Sequence, residues 1–153
     1  MPTEQIKRNI TKCQNMLSKL EEIINRANPS YFIEYEELSM MNVKADEIKY
    51  SQPFAYIEEF RQGEYGKEKY WNYKTARIEI WFCKFCQFEN DARVRESIRD
   101  TIEAEIVLPF IQEYKKESGL YQPEKWNWFT PPPRFDANEV SIMLQFDFRL
   151  LKC

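Results

Sequence analysis

The sequence predicts an α+β fold: a mostly antiparallel sheet of about four strands with two main helices packed on one face, in the order α-β-β-β-α-β. Three observations predict it. Apolar residues recur every three or four positions over residues 3–27, a second helical pattern follows Asn90, and apolar residues fall at every second position from Val140 to Leu150. The chain has 153 residues and no low-complexity linker, so we expect a single domain over residues 1–153.

The first predicted element is an amphipathic helix over residues 3–27, with Thr3 as a plausible N-cap. Its apolar stripe consists of Ile6, Ile10, Cys13, Leu17, Leu20 and Ile24. Asn28-Pro29 is expected to end the helix, because proline disfavours the α conformation of the residue before it. We expect the stripe to pack on the sheet; a coiled-coil dimer is the alternative.

Two strands are predicted next. Residues 31–37 are rich in aromatic and β-branched side chains, and Pro53 begins a strand that runs through Phe60. Residues 39–51 between them have no clear period and are predicted as an irregular connection. Gly63 and Gly66 then indicate a hairpin loop.

A long strand follows over about residues 70–88, and it is apolar on both sides. One face carries Ala76, Ile78, Ile80 and Phe82, and the other carries Trp71, Tyr73, Trp81, Cys83 and Phe85. Both faces of this strand therefore need to be covered.

The second helix is predicted to begin at a cap formed by Asn90 or Asp91 and to end near Lys115, with Gly119 just beyond. Pro109 is expected to kink or split this helix, because its ring blocks the hydrogen bond to the carbonyl of Glu105.

The segment after this helix combines aromatic residues with a run of prolines. Trp126, Trp128 and Phe129 precede Pro131-Pro132-Pro133, which favours a stiff extended segment at a sheet edge or in a surface loop. The final strand follows it.

Composition excludes several function classes. Histidine is absent, which excludes Ser-His-Asp and Cys-His nucleophiles and imidazole metal ligands. Three glycines cannot form a P-loop or a dinucleotide fingerprint. We therefore predict no enzymatic activity, no catalytic residues and no cofactor.

The charge balance and the hydropathy pattern set further limits on partners. The net charge of −3, without basic blocks, argues against nucleic acid as a partner. No apolar run reaches about 18 residues and no signal peptide is recognisable, so we expect no membrane partner and a cytoplasmic location in the producing cell.

Cys83 and Cys86 form the one spacing that resembles a redox or zinc motif. On a strand, however, their sulfurs would point to opposite faces, so we predict free cysteines and no metal site; a thiol or zinc protein is a further hypothesis. The carboxylate pairs Glu36/Glu37, Glu58/Glu59 and Glu103/Glu105 are predicted to be solvated surface charge.

Aromatic residues make up 16% of the chain, more than two helices and one sheet face are expected to bury. Two helices cover one face of a four-stranded sheet, so part of the second face is expected to meet another subunit. The side chains predicted to form this partner interface are Trp71, Tyr73, Trp81 and Phe85.

Several local strings resemble phage tail-terminator and tail-completion proteins, and more narrowly prophage proteins of gut anaerobes. The strings are Tyr31-Phe32-Ile33, Met41-Asn42-Val43, Pro53-Phe54-Ala55, the Gly63/Gly66 turn, Ile78-Glu79-Ile80-Trp81-Phe82 before Asn90-Asp91, and Arg134-Phe135-Asp136-Ala137-Asn138. They cover most of the chain but include no catalytic signature, and residues 39–51 are longer than the simplest members need.

The resemblance implies a non-enzymatic assembly protein. Its partners would be copies of itself in a homo-oligomeric ring and other phage tail or neck proteins, and its location would be the host cytoplasm and then the virion. The alternative is a small-ligand-binding or regulatory domain, with aromatic residues around a pocket and polar groups such as Arg77 or Asn72 pointing into it.

Overall fold

A computed structural model describes residues 16–36, 52–58, 62–65, 74–85, 92–130 and 139–149. The helices in these ranges are α1 (Met16–Ala27), α2 (Ala92–Ile102) and α3 (Leu108–Lys115), and a π-helical turn, Glu103–Val107, joins α2 to α3. The strands are β1 (Phe32–Glu36), β2 (Phe54–Glu58), β3 (Gly63–Tyr65), β4 (Lys74–Phe85), β5 (Asn127–Phe129) and β6 (Glu139–Arg149). The fold is α+β, as predicted.

The described strands form one six-stranded sheet instead of the expected four strands. Their order is β1-β2-β4-β6-β5, and β3 pairs with β4. All neighbours are antiparallel except β1 and β2, which are parallel. The mostly antiparallel sheet is confirmed, and the two strands not predicted as such, β3 and β5, are both only three residues long.

The centre of the sheet is the antiparallel pair β4 and β6. Their register runs without interruption from Thr75 opposite Arg149 to Phe85 opposite Glu139. The alternation predicted for both strands is confirmed, since one face of each is buried. The buried side chains on this face are Ala76, Ile78, Ile80, Phe82, Val140, Ile142, Leu144, Phe146 and Phe148.

The helices cover this face of the sheet, as predicted for two helical segments. α1 contributes Leu20, Ile23 and Ile24 to the core, and the second helical segment contributes Ile102, Ile106, Phe110 and Tyr114. Burying each such side chain stabilises the fold by roughly 1.5–3 kcal/mol. The aromatic rings lock the layers together: the centroid of Phe110 lies 5.8 Å from that of Phe82 and 6.0 Å from that of Phe146.

Pro109 changes the second helix in the way that its missing N–H requires. The helix continues through Pro109, but a π-helical turn precedes it and Pro109 falls in the first turn of α3, where proline is tolerated. Proline cannot donate to the carbonyl of Glu105, and the side-chain amide of Asn28 donates to that oxygen instead, at 3.2 Å. The predicted interruption is thus a π turn stabilised from outside the helix.

Asn28 also ends α1, as predicted from Asn28-Pro29. Its backbone N–H donates to the carbonyl of Ile24 at 2.9 Å, and its side-chain oxygen accepts a hydrogen bond from the N–H of Ser30. A side chain that makes a turn in this way and also reaches a second helix fixes the two helices relative to each other.

An ion-pair cluster joins the outer surfaces of α1 and the segment after α3. The carboxylate of Glu117 lies 2.6 Å from Nη2 of Arg26 and 2.9 Å from Nζ of Lys19. Burial raises the pKa of Glu117, but the hydrogen bonds from the two cations outweigh it, so the pKa lies below its usual value. Because the pKa is lowered in the folded protein, these ion pairs stabilise the fold at pH values above the usual glutamate pKa. This stabilisation is lost as the pH falls through the lowered pKa of Glu117.

Gly63 was predicted to lie in a hairpin loop, and that placement is wrong. It pairs with Ala76 as the first residue of β3. A Cβ atom at Gly63 would lie 1.8 Å from the carbonyl oxygen of Thr75, so the strands approach more closely than any other residue allows.

Other predictions fall outside the described residues. They concern residues 3–15 and 39–51, Gly66, Trp71, Asn72, Tyr73, Cys86, the cap at Asn90 or Asp91, and Pro131-Pro132-Pro133.

Replacing Gly63 with alanine is expected to lower the free energy of unfolding by about 1–3 kcal/mol, because the new methyl group must displace the backbone of β4. Thermal or urea denaturation followed by circular dichroism measures this. The matched control is Gly119→Ala, where no atom lies within 4 Å of the added Cβ. Equal stability of Gly63→Ala and the control would contradict the close approach.

Candidate functional site

The sheet face opposite the helices, here called the far face, carries a second apolar cluster. Its buried members are Phe54, Tyr56, Trp81 and Cys83, and Phe85 and Met143 pack against them partly exposed. The register explains the cluster, since Tyr56 lies opposite Trp81 and Phe54 opposite Cys83. Side chains that alternate with the main core are thus buried as well.

The expectation that the far face is left open is wrong at these positions. Trp81 is 1% exposed, and Phe54, Tyr56 and Cys83 are completely buried within the single chain. Phe85 stacks on Phe54 with ring centroids 5.4 Å apart. In this chain Trp81 therefore presents almost no surface to a partner, although its large ring and its place on a doubly apolar strand had indicated an interface residue.

The four residues of the predicted partner interface thus differ in position. Trp81 is buried, Phe85 is partly exposed on the far face, and Trp71 and Tyr73 lie outside the described residues. A partner interface at this set stays a prediction.

Exposed aromatic side chains lie instead on the two outermost strands of the described sheet. Trp128 and Phe129 of β5 are 66% and 44% exposed, and Phe32 of β1 is 39% exposed. Trp128 and Phe129 are consecutive residues of β5, so their rings point to opposite faces of the sheet, and each face of this edge carries an exposed ring. The outer strands are therefore the candidate functional site.

β5 is held in place by its neighbour Trp126. The ring of Trp126 lies 4.6 Å from Phe146 and 5.0 Å from Tyr114, centroid to centroid, so it joins the main core. Trp128, two residues further along the strand, is exposed. The three aromatic residues of this short run thus divide into one anchor and two surface residues.

Sequence reasoning named Trp128 and Phe129 among the aromatic residues but did not assign them to the interface. The signal that points to them is their place shortly before three prolines, with Thr130 between, because proline-flanked segments lie at sheet edges. Phe32 had no comparable signal, since it is one of several aromatic residues in its strand.

A polar cleft of about 450 Å³ lies beside β5. It is lined by Arg77, Tyr121, Pro123, Glu124, Lys125, Asn127, Gln145, Phe146 and Asp147. Two hydrogen bonds orient the side chains of Arg77 and Gln145 in the cleft. Arg77 Nη2 donates to Gln145 Oε1 at 2.7 Å, and Gln145 Nε2 donates to Glu79 Oε1 at 2.9 Å. Arg77 thus faces a cleft, as the ligand-binding alternative expects, but the cleft is open and polar and not an enclosed apolar pocket.

Of the carboxylates considered in the sequence, Glu103 is exposed and Glu105 is half-buried. Glu105 forms an ion pair with Lys84, with 2.6 Å between Oε2 and Nζ. Across the described ranges, no three His, Cys, Asp or Glu side chains are grouped so as to hold a metal ion. None of the helices in those ranges is long and apolar enough to cross a membrane.

Comparison with protein-family models gives no match, and no curated protein matches the chain.

Cys83 bears on the thiol hypothesis. It is a free, buried cysteine, and burial together with the nearby charge of Glu139 raises the pKa of its thiol well above the usual value. A thiol in that state is a poor nucleophile and a poor metal ligand.

We expect Cys83 in the native protein to react with iodoacetamide at pH 8 at least about 100-fold more slowly than in guanidinium chloride, because both burial and the raised pKa suppress the thiolate. Peptide mass spectrometry of samples taken over time isolates this residue from the other cysteines. Rapid labelling of Cys83 in the folded protein would show that the far face is open.

Proposed function

We propose that this protein is a non-enzymatic phage or prophage assembly protein, a tail terminator or head-to-tail joining protein that acts through protein–protein contacts in a ring. Its partners are copies of itself and other tail or neck proteins, and it passes from the host cytoplasm into the virion. The observation that carries the proposal is the concentration of exposed aromatic side chains on the two outer strands, Phe32 on one and Trp128 and Phe129 on the other.

Two further features support an assembly role. The α+β fold matches what the family resemblance implies, with helices on one face of a mostly antiparallel sheet. The far-face cluster of Phe54, Tyr56, Trp81 and Cys83 is buried within the chain, so each subunit can fold before it meets a partner. A subunit that folds alone and exposes apolar edges is suited to reversible addition to a ring.

The alternative function is the binding of a small ligand, and the cleft around Arg77 is the observation that favours it. A guanidinium oriented by Gln145 suits a ligand with a carboxylate or phosphate group. A ligand that raises the melting temperature of the wild type but not of Arg77→Gln would favour this function over assembly.

Sedimentation velocity of the purified protein over a wide concentration range tests the assembly proposal. We expect a species made of several 18.6 kDa chains that grows with concentration, because apolar edges associate by mass action. The same experiment with purified tail-tube protein tests assembly that requires the tube as a template.

A strict monomer at high concentration, both alone and with tail-tube protein, would contradict the proposal. An added ligand that leaves such a monomer intact and stabilises it would then support the alternative.

A further inference from the structure

We propose that the two outer strands are complementary to each other, so that β5 of one copy lies alongside β1 of a second copy in a head-to-tail contact. This inference rests on the proposed function and names the contact by which the ring forms. In the described ranges, large hydrophobic side chains are exposed at five positions: Phe32, Val94, Leu108, Trp128 and Phe129. Three of the five lie on these two strands.

The direction of the strands fits such a contact. β1 runs parallel to β2, and every further step across the sheet, from β2 to β4, β6 and β5, is antiparallel. β1 and β5 therefore run in opposite directions at opposite ends of the sheet. A neighbour related by rotation about a ring axis that runs along the strands presents its β1 antiparallel to β5, which is the more favourable of the two pairing modes.

The faces of the two strands also match. Phe32 lies opposite Phe54 and Phe129 lies opposite Met143, so both rings belong to the far face. Trp128 lies opposite Leu144 on the helix face, and Ile33 packs on the core of that same face. In an antiparallel contact that places Phe32 against Phe129, Ile33 falls against Trp128.

The same alignment brings opposite charges together. Glu34 falls opposite Asn127, and Lys125 is then its diagonal neighbour, within reach of a long side chain. The edge at β1 thus combines an exposed ring with the carboxylate of Glu34, and the edge at β5 combines exposed rings with the ammonium of Lys125.

A second copy of this chain is the occupant that these features select. Each copy carries both halves of the contact, so the contact is heterologous, and it leaves one edge of each kind available for the next copy. A self-pairing of β5 with β5 would instead bring the same exposed rings and the same cation together and would stop at a dimer.

Two single variants test the contact when they are mixed. Phe32→Asp disables one edge and Trp128→Asp disables the other; each is expected to raise the dissociation constant for self-association about 30-fold or more, as loss of a central aromatic anchor does. Mixed in equal amounts, the two variants retain one intact pair of edges. We expect a two-chain species, twice the 18.6 kDa chain mass, that neither variant forms alone.

Val94→Asp is the matched control, because Val94 is 42% exposed but lies on α2, away from both edges. It is expected to assemble like the wild type. Circular dichroism checks that every variant is folded, and a charge exchange repeats the test without changing the rings. Lys125→Glu is expected to weaken assembly, and mixing it with Glu34→Lys is expected to restore it.

Several results would overturn the inference. If the wild type forms a ring while the variants assemble equally well, or while the mixtures stay monomeric, the head-to-tail contact is wrong and the ring forms by another surface. If Phe32→Asp assembles and only Trp128→Asp fails, β5 pairs with itself. A wild type that never assembles, with or without tail-tube protein, overturns both this contact and the proposed function.

Discussion

The uninterrupted pairing of β4 with β6 is the constraint on which the rest of the structure depends. Its register sets which side chains of Lys74–Phe85 and Glu139–Arg149 face the helices and which face away. A shift of one residue would turn Ile78, Ile80 and Phe82 away from the helices and place Glu79 among them, so a single register is strongly favoured. β2 and β5 pair with the outer sides of this pair, and the helices pack on one of its faces.

The far face of the central pair is also buried around Trp81 and Cys83, and this has a consequence for function. Because Trp81 and Cys83 are enclosed within the chain, the face of the sheet contributes little apolar surface to partners at these positions. Among the described residues, three of the five exposed large hydrophobic side chains lie at the edges, on β1 and β5. Association through sheet edges adds a neighbour without disturbing the core. Association through an apolar face would instead leave part of the core of each subunit exposed to water until its partner binds.

The parts of the fold that sequence predicted are those governed by a long, regular pattern. The alternation in the last strand and around Ile78 and Ile80 was sufficient to predict both central strands and their buried face. In a strand with one face in the core, every second residue has to be apolar. Pro109 marked the right place in the second helix, but the sequence could not show that the response is a π turn with Asn28 donating to Glu105. That outcome depends on a residue 77 positions away in the chain.

Short elements and tertiary proximity were the features that sequence could not predict. β5 has three residues, too few to show a period, and Gly63 looks like a turn residue because its close approach to Thr75 is a property of two strands together. The parallel pairing of β1 with β2 likewise leaves no signal in the sequence of either strand. At the candidate site, composition identified an excess of aromatic residues, but which rings are buried depends on how the whole chain packs, so Trp81 and Trp128 could not be distinguished.

Native-state hydrogen exchange on the dilute, unassembled protein tests the central claim most directly. If the pairing of β4 with β6 organises each chain by itself, the amides of Ile78–Phe82 and Ile142–Phe146 exchange slowest, at the rate set by global unfolding, and those of β5 exchange far faster. Protection of β4 and β6 that appears only when copies assemble would contradict the account, because the sheet would then depend on its partners for its stability.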